Sequence, residues 1–202
     1  MTAPRSRMKG SGAAAARTIT EVFAPVVLAV GVVLVVGAAS GPSPLSGLVW
    51  GLVAAFFVGA VPYAFLLHGV RRGRWTDRHV SVREQRIVPL SFALGSVILG
   101  VGVLAVGRAP QELVALVAAG LVGLGVSIAI TRHWKMSIHT GVASGTATIL
   151  LLVFGASMLT TWPVVIAVAW SRVELRDHTV AQVVVGGLIG AVIAGVVFSA
   201  LR

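Results

Sequence analysis

Three short polar clusters interrupt an otherwise apolar chain, and they hold the residue types needed to bind a phosphate and break its ester bond. The first reads Asp77-Arg78-His79-Val80-Ser81-Val82-Arg83-Glu84-Gln85-Arg86. The second is Lys135-Met136-Ser137-Ile138-His139, and the third Ser171-Arg172-Val173-Glu174-Leu175-Arg176-Asp177-His178. Ionisable groups at or beside membrane depth are costly, so they mark function. Arg and Lys supply charge-assisted hydrogen bonds to phosphate oxygens, and His can act as nucleophile or as general acid.

The elements that must position these clusters follow from composition. The chain has 202 residues, 57% hydrophobic and 11% charged, with a mean hydropathy of +0.98. A soluble domain of this size carries about 25% charged residues. The expectation is an all-α, polytopic integral membrane helical bundle of six to seven transmembrane helices. There is no cysteine, which excludes disulfides and thiolate chemistry. The net charge of +10 fits cytoplasmic anchoring and an anionic substrate rather than nucleic acid, because the arginines border apolar spans instead of forming a solvated domain.

Residues 1–20 read as a basic, disordered cytoplasmic tail carrying Arg5, Arg7, Lys9 and Arg17, and residues 21–202 as the transmembrane domain. A span needs about 20 apolar residues. Runs of that kind occupy 22–39, 45–67, 87–106, 113–130, 138–159 and 180–201, with a weaker one at 162–175. Seven spans put the three clusters on one side of the membrane, each separated from the next by two spans. That side also receives every Lys and Arg except Arg108 and Arg202. The positive-inside rule then predicts a multi-pass plasma-membrane protein with its N-terminus and polar site in the cytoplasm. Gly186 and Gly190 in the last span suit close packing of helices within the chain.

The second cluster contains Ser137-x-His139, and the third Ser171-Arg172-x5-His178. These resemble the second and third signatures of the type 2 phosphatidic acid phosphatase family of membrane lipid phosphatases. That family's pattern is Lys-x6-Arg-Pro, then Pro-Ser-Gly-His, then Ser-Arg-x5-His-x3-Asp. Order and side of the membrane agree over residues 77 to 185. The departures are specific. His79-x6-Arg86 has the spacing of the first signature with His for Lys and Ile87 for Pro. Met136-Ser137-Ile138-His139 stands for Pro-Ser-Gly-His, and Gln182 for the final Asp.

The resemblance implies a mechanism without metal or cofactor. His178 attacks phosphorus to form a phosphohistidine, and His139 protonates the leaving lipid oxygen. Arg86, Arg172 and either Arg78 or Arg83 neutralise the phosphate oxygens, with Lys135, Ser137 and Ser171 as further phosphate-binding candidates. Gln182, four residues after His178 on the same helical face, orients the imidazole. The carboxylate that Gln182 lacks could also come from Asp77, Glu174 or Asp177.

The expected partners are the bilayer and a lipid phosphate, either an isoprenoid (di)phosphate or a glycerolipid phosphate. Two other functions compete. One is a non-catalytic protein that binds or transports a lipid phosphate. The other is a membrane prenyl-diphosphate transferase or cyclase, which would use Asp-rich magnesium sites, whereas this chain has only Asp77 and Asp177. Arg71, Arg72 and Arg74 directly follow an apolar span and read as headgroup anchors. Trp134, Trp162 and Trp170 read as interfacial aromatics.

Overall fold

The computed structural model describes residues 11–77, 80 and 82–202. Within them the fold is all helix. Helices α1 (Ser11–Val22) and α2 (Pro25–Ser40) are followed by α3 (Pro44–Ala55), which continues through a π-helical turn, Phe56–Ala60, into α4 (Val61–Arg71). Then come α5 (Ile87–Val106), α6 (Gln111–Thr131), α7 (Ile138–Phe154), α8 (Trp162–Glu174) and α9 (Val180–Leu201).

The boundaries have local causes. Pro25 opens α2 and Pro44 opens α3, where a missing N–H costs nothing. Ser43, Ser137 and Thr179 cap α3, α7 and α9 by accepting a backbone N–H. The π turn lies just before Pro62, which cannot donate to the helical ladder. Ser96 on α5 donates to the carbonyl of Phe57 in that turn at 2.7 Å.

Among the described residues four continuous helices are long and apolar enough to cross a membrane: Pro44–Arg71, Arg83–Val106, Gln111–Thr131 and Val180–Leu201. The pair Gly12–Val22 and Pro25–Ser40, bent by 43°, makes a fifth candidate. The expected six to seven spans are therefore met only in part. The apolar run at 138–159 stops at Phe154, because Gly155 takes a left-handed φ of +82° and a 3-10 segment follows. α8 has 13 residues, about 20 Å at 1.5 Å per residue, short of the ~30 Å hydrocarbon core. Residues 11–20, expected in a disordered tail, are helical. Ala13 and Ala16 are buried, and Ile19 and Phe23 pack on the cluster formed by Val165 and Val168 of α8 with Ala143 and Ala147 of α7.

α7 and α9 lie closest. A Cβ at Gly190 would strike the carbonyl of Gly141, and one at Gly186 the carbonyl of Ser137. The expected small-residue packing is thus intramolecular, and Ser144 of α7 adds a 2.7 Å hydrogen bond to the carbonyl of Gly187. The opposite side of α9 carries Val180, Val184, Leu188, Val192 and Val196 at intervals of four, all exposed. A helix that buries Val183, Gly186, Ala194 and Phe198 while presenting a continuous aliphatic stripe outward is built for a lipid environment.

Candidate functional site

The third cluster is shaped by the way α8 ends. Arg176 adopts a left-handed φ of +56°, and both Asp177 N and His178 N donate to the carbonyl of Arg172, at 3.1 and 3.2 Å. The reversal folds His178 back over the arginine that begins the Ser-Arg-x5-His pattern. The five intervening residues are the length of one helix end and its turn. Arg172, only 2% exposed, donates from Nη2 to Asp177 Oδ2 at 2.9 Å and from Nη1 to Thr20 Oγ1 at 3.4 Å.

Thr179 then starts α9 with a reciprocal capping box, in which Gln182 Oε1 accepts the Thr179 N–H at 3.1 Å. The same oxygen lies 3.2 Å from His178 Nδ1. A backbone N–H can only donate, so the atom it meets is the amide oxygen, and Nδ1 must be the protonated ring nitrogen. Nε2 is left with its lone pair. It is buried, with no hydrogen-bond partner among the described residues. Burial, then the charges of Arg86, Arg172 and Lys135, push the His178 imidazolium pKa down to about 4, against the raising effect of the Gln182 hydrogen bond. The ring is neutral at neutral pH.

The first and second clusters meet the third through main-chain acceptors. Lys135 Nζ donates to the Asp177 carbonyl at 2.8 Å. Arg86, 5% exposed, donates from Nε to the Val80 carbonyl at 2.9 Å and from Nη1 to the Met136 carbonyl at 3.3 Å. Val80 pays for this with a φ of +46°, costly for a β-branched residue. Thr76 closes the loop by donating its N–H to Gln85 Oε1 at 3.0 Å. Ser137 is fully buried. Its Oγ accepts from Thr140 N, leaving the hydroxyl hydrogen to donate, while its N–H donates to the Gln182 carbonyl at 3.2 Å. His139 follows in the first turn of α7 and, with Arg86, Glu21 and Tyr63, lines a cavity of about 360 Å³.

The structure therefore brings together His178, Arg172, Arg86, Lys135, Ser137 and Gln182, with His139 beside Arg86. Other expected residues take different roles. Arg83 sits at the rim, paired with Glu84 at 3.2 Å and donating to the His133 carbonyl at 3.1 Å. Ser171 is buried, its Oγ donating to the Val168 carbonyl at 2.8 Å, so its hydrogen is used inside its own helix. Asp77 bears electrostatically on Arg86 and Arg172. Asp177 serves Arg172. Glu174 lies against Gly12 of α1. Gln182 is in contact with the His178 ring. Arg78 and His79 lie outside the described residues.

Two contributors were missed in the sequence. Thr20, buried at the end of α1, stands 3.2 Å from Ser171 Oγ and accepts from Arg172. Its neighbour Glu21 lines the cavity and acts electrostatically on Arg172. The available signal was a Thr-x-Thr-Glu stretch placed directly before the apolar run. Among the described residues no group of three or more His, Asp or Glu could hold a metal ion. Compared with protein-family models, characterised proteins and solved structures, the chain matches none of them.

The site can hold an anion between buried cations, with an unprotonated imidazole nitrogen fixed beside them. That arrangement suits nucleophilic attack on a phosphate.

Proposed function

We propose that this chain is a divergent membrane lipid phosphatase of the type 2 phosphatidic acid phosphatase kind, hydrolysing a phosphomonoester or diphosphate of a lipid. The observation that carries the reading is the His178–Gln182 contact, which holds the nucleophilic Nε2 lone pair beside Arg86, Arg172 and Lys135. Nε2 attacks the terminal phosphorus, the bond from that phosphorus to the leaving oxygen (of the lipid alcohol, or of the lipid monophosphate when the substrate is a diphosphate) breaks, and His139 gives that oxygen its proton. Arg86 and Arg172 neutralise the non-bridging oxygens as charge moves. A water molecule then loses its proton to His139 and attacks the phosphohistidine. Inorganic phosphate leaves and His178 is regenerated.

The companion proposal for topology is seven membrane passages in the plasma membrane, with α7 and α8 as short passages and the N-terminus and site on the cytoplasmic side. The distribution of Lys and Arg supports it. Phosphate release by the purified protein in detergent, with EDTA present, tests the function. Release by the native chain and a loss of at least about a thousandfold in His178→Ala are expected. Equal release from both would overturn it.

A second reading has its own observation. His178 does not line the cavity that Arg86 and His139 share, which favours a protein that binds lipid phosphate without cleaving it. That reading requires lipid-phosphate binding, unchanged in His178→Ala, with no turnover by the native chain.

A further inference from the structure

A second cavity, of about 320 Å³, lies among α2, α5, α6, α7 and α9. Its walls are almost wholly apolar, and the hydroxyl of Ser127 on its lining is already donated to the Gly123 carbonyl at 2.8 Å. Pro25, Val26, Leu90, Ala93 and Ile138 line both this cavity and the one holding Arg86 and His139. The two cavities therefore adjoin across these shared residues, one charged and the other oily. Along α7 the apolar part runs from Ile138 to Ile149, about 16 Å at 1.5 Å per residue. That is roughly half of the ~30 Å hydrocarbon core, the depth of one leaflet.

Resting on the phosphatase reading, we infer that this chamber takes a single hydrocarbon chain, so that the preferred substrate is a one-chain lipid phosphate such as a short isoprenoid or alkyl phosphate, not a diacyl glycerolipid. An apolar cavity of about 150 Å³ takes one benzene ring, so a chamber of about 320 Å³ takes roughly twelve carbons, fewer than the two acyl chains of a diacyl glycerolipid carry. The headgroup end offers cations to the phosphate, and the oily end offers only the hydroxyls of Ser127 and Thr146 among otherwise apolar walls. Burial of apolar surface then makes affinity rise with chain length until the chamber is full.

Two glycines allow the test. Gly120 and Gly123 of α6 line the chamber, and a Cβ built on either meets nothing within 4 Å. A larger side chain there fills space without striking a neighbouring helix. Binding of butyl, decyl and hexadecyl phosphate and of dipalmitoyl phosphatidate to the full chain would be measured by native mass spectrometry in detergent, with phosphate release followed in parallel. The native protein is expected to bind decyl phosphate more tightly than butyl phosphate or phosphatidate. Gly123→Leu is expected to weaken decyl phosphate about tenfold, the effect of removing roughly two methylenes from apolar contact, and to leave butyl phosphate unchanged. Gly120→Leu should act in the same direction if Gly123→Leu does not fold. Phosphatidate binding as tightly as decyl phosphate, or two folded variants with the native chain-length preference, would overturn the inference. Native chain-length preference without phosphate release would uphold the chamber while removing the phosphatase reading.

Discussion

The two ends of the helical bundle are built from similar apolar helices and treat their polar groups differently. At the end away from the clusters, polar side chains close off helix termini. Ser40 donates to Glu112, Gln111 to the Leu201 carbonyl at 2.6 Å, and Arg202 to the Leu152 carbonyl at 2.9 Å, with its guanidinium 5.6 Å from the Phe198 ring centroid. Beneath them Leu104, Leu113 and Phe198 are fully buried. At the cluster end, Arg86, Arg172 and His178 are buried instead. His178 Nε2 and Arg172 Nε have no hydrogen-bond partner among the described residues. At the far end these polar side chains are spent on helix termini, although the Trp162 indole N–H is also buried without a partner among the described residues. The other holds donors and a lone pair in place without using all of them, which is how a site is preorganised for an anion.

Arginine truncation separates the ends most sharply. Arg172→Ala removes the partner of a buried ion pair and should destabilise the protein by about 3–5 kcal/mol while abolishing activity. Arg202→Ala should fall within about 0.5 kcal/mol of native. Thermal unfolding of both variants in detergent checks the pair, and equal losses would erase the distinction between the ends.

Acid should act through the cluster end. The folded pKa of His178 lies below the ordinary 6.5, at about 4. Between those values the unfolded chain binds a proton that the native ring refuses. The stability contributed by the neutral ring is thus complete above pH 6.5 and declines as pH falls toward 4, by about 1.4 kcal/mol per unit at most. A histidine ring-proton titration by NMR checks the assignment: in the native chain His178 should remain neutral at pH 5.5. A midpoint near 6.5 would show that the ring is neither buried nor enclosed by cations.

Gln182→Glu sharpens the comparison from the other side. Glu suits the same capping-box position and has the same length, so it should keep α9 intact and bring a carboxylate to His178 Nδ1. The His178 pKa should rise, and turnover should increase about tenfold through better stabilisation of the cationic phosphohistidine. A drop in turnover with normal folding would mean that a neutral acceptor is required there. Thr20→Val is the mildest change. It removes an acceptor for Arg172 and should cost about 1 kcal/mol, read as a matching loss in kcat/KM with phosphate affinity weakened.

The legibility of the molecule divided along physical lines. Span cores were readable because about 20 apolar residues in a row have few alternatives. Span ends were not, because Gly155 and the 3-10 turn after it shortened the run that begins at Ile138. The tail was misread over residues 11–20, where burial of Ala13 and Ala16 stabilises a helix that the basic, small-residue composition did not announce. Ser171-Arg172-x5-His178 was readable as a constellation because one helix end and its turn set the spacing. The choice among Arg78, Arg83 and Arg86 was not, since all three fall close together in one polar cluster of the sequence. Of the two described, the structure buries Arg86 and leaves Arg83 at the rim.

The sequence by itself determined the helical class, the grouping of the cations, the nucleophile candidate and the glycine contact within the bundle, because hydropathy, charge and local spacing act over one or two helical turns. Only tertiary structure decided that Thr20 supports Arg172 across 152 positions, that Asp177 serves Arg172 while Gln182 fixes His178, and that an apolar chamber adjoins the charged cavity. Those outcomes depend on which helix ends meet, and that is settled by packing among distant segments.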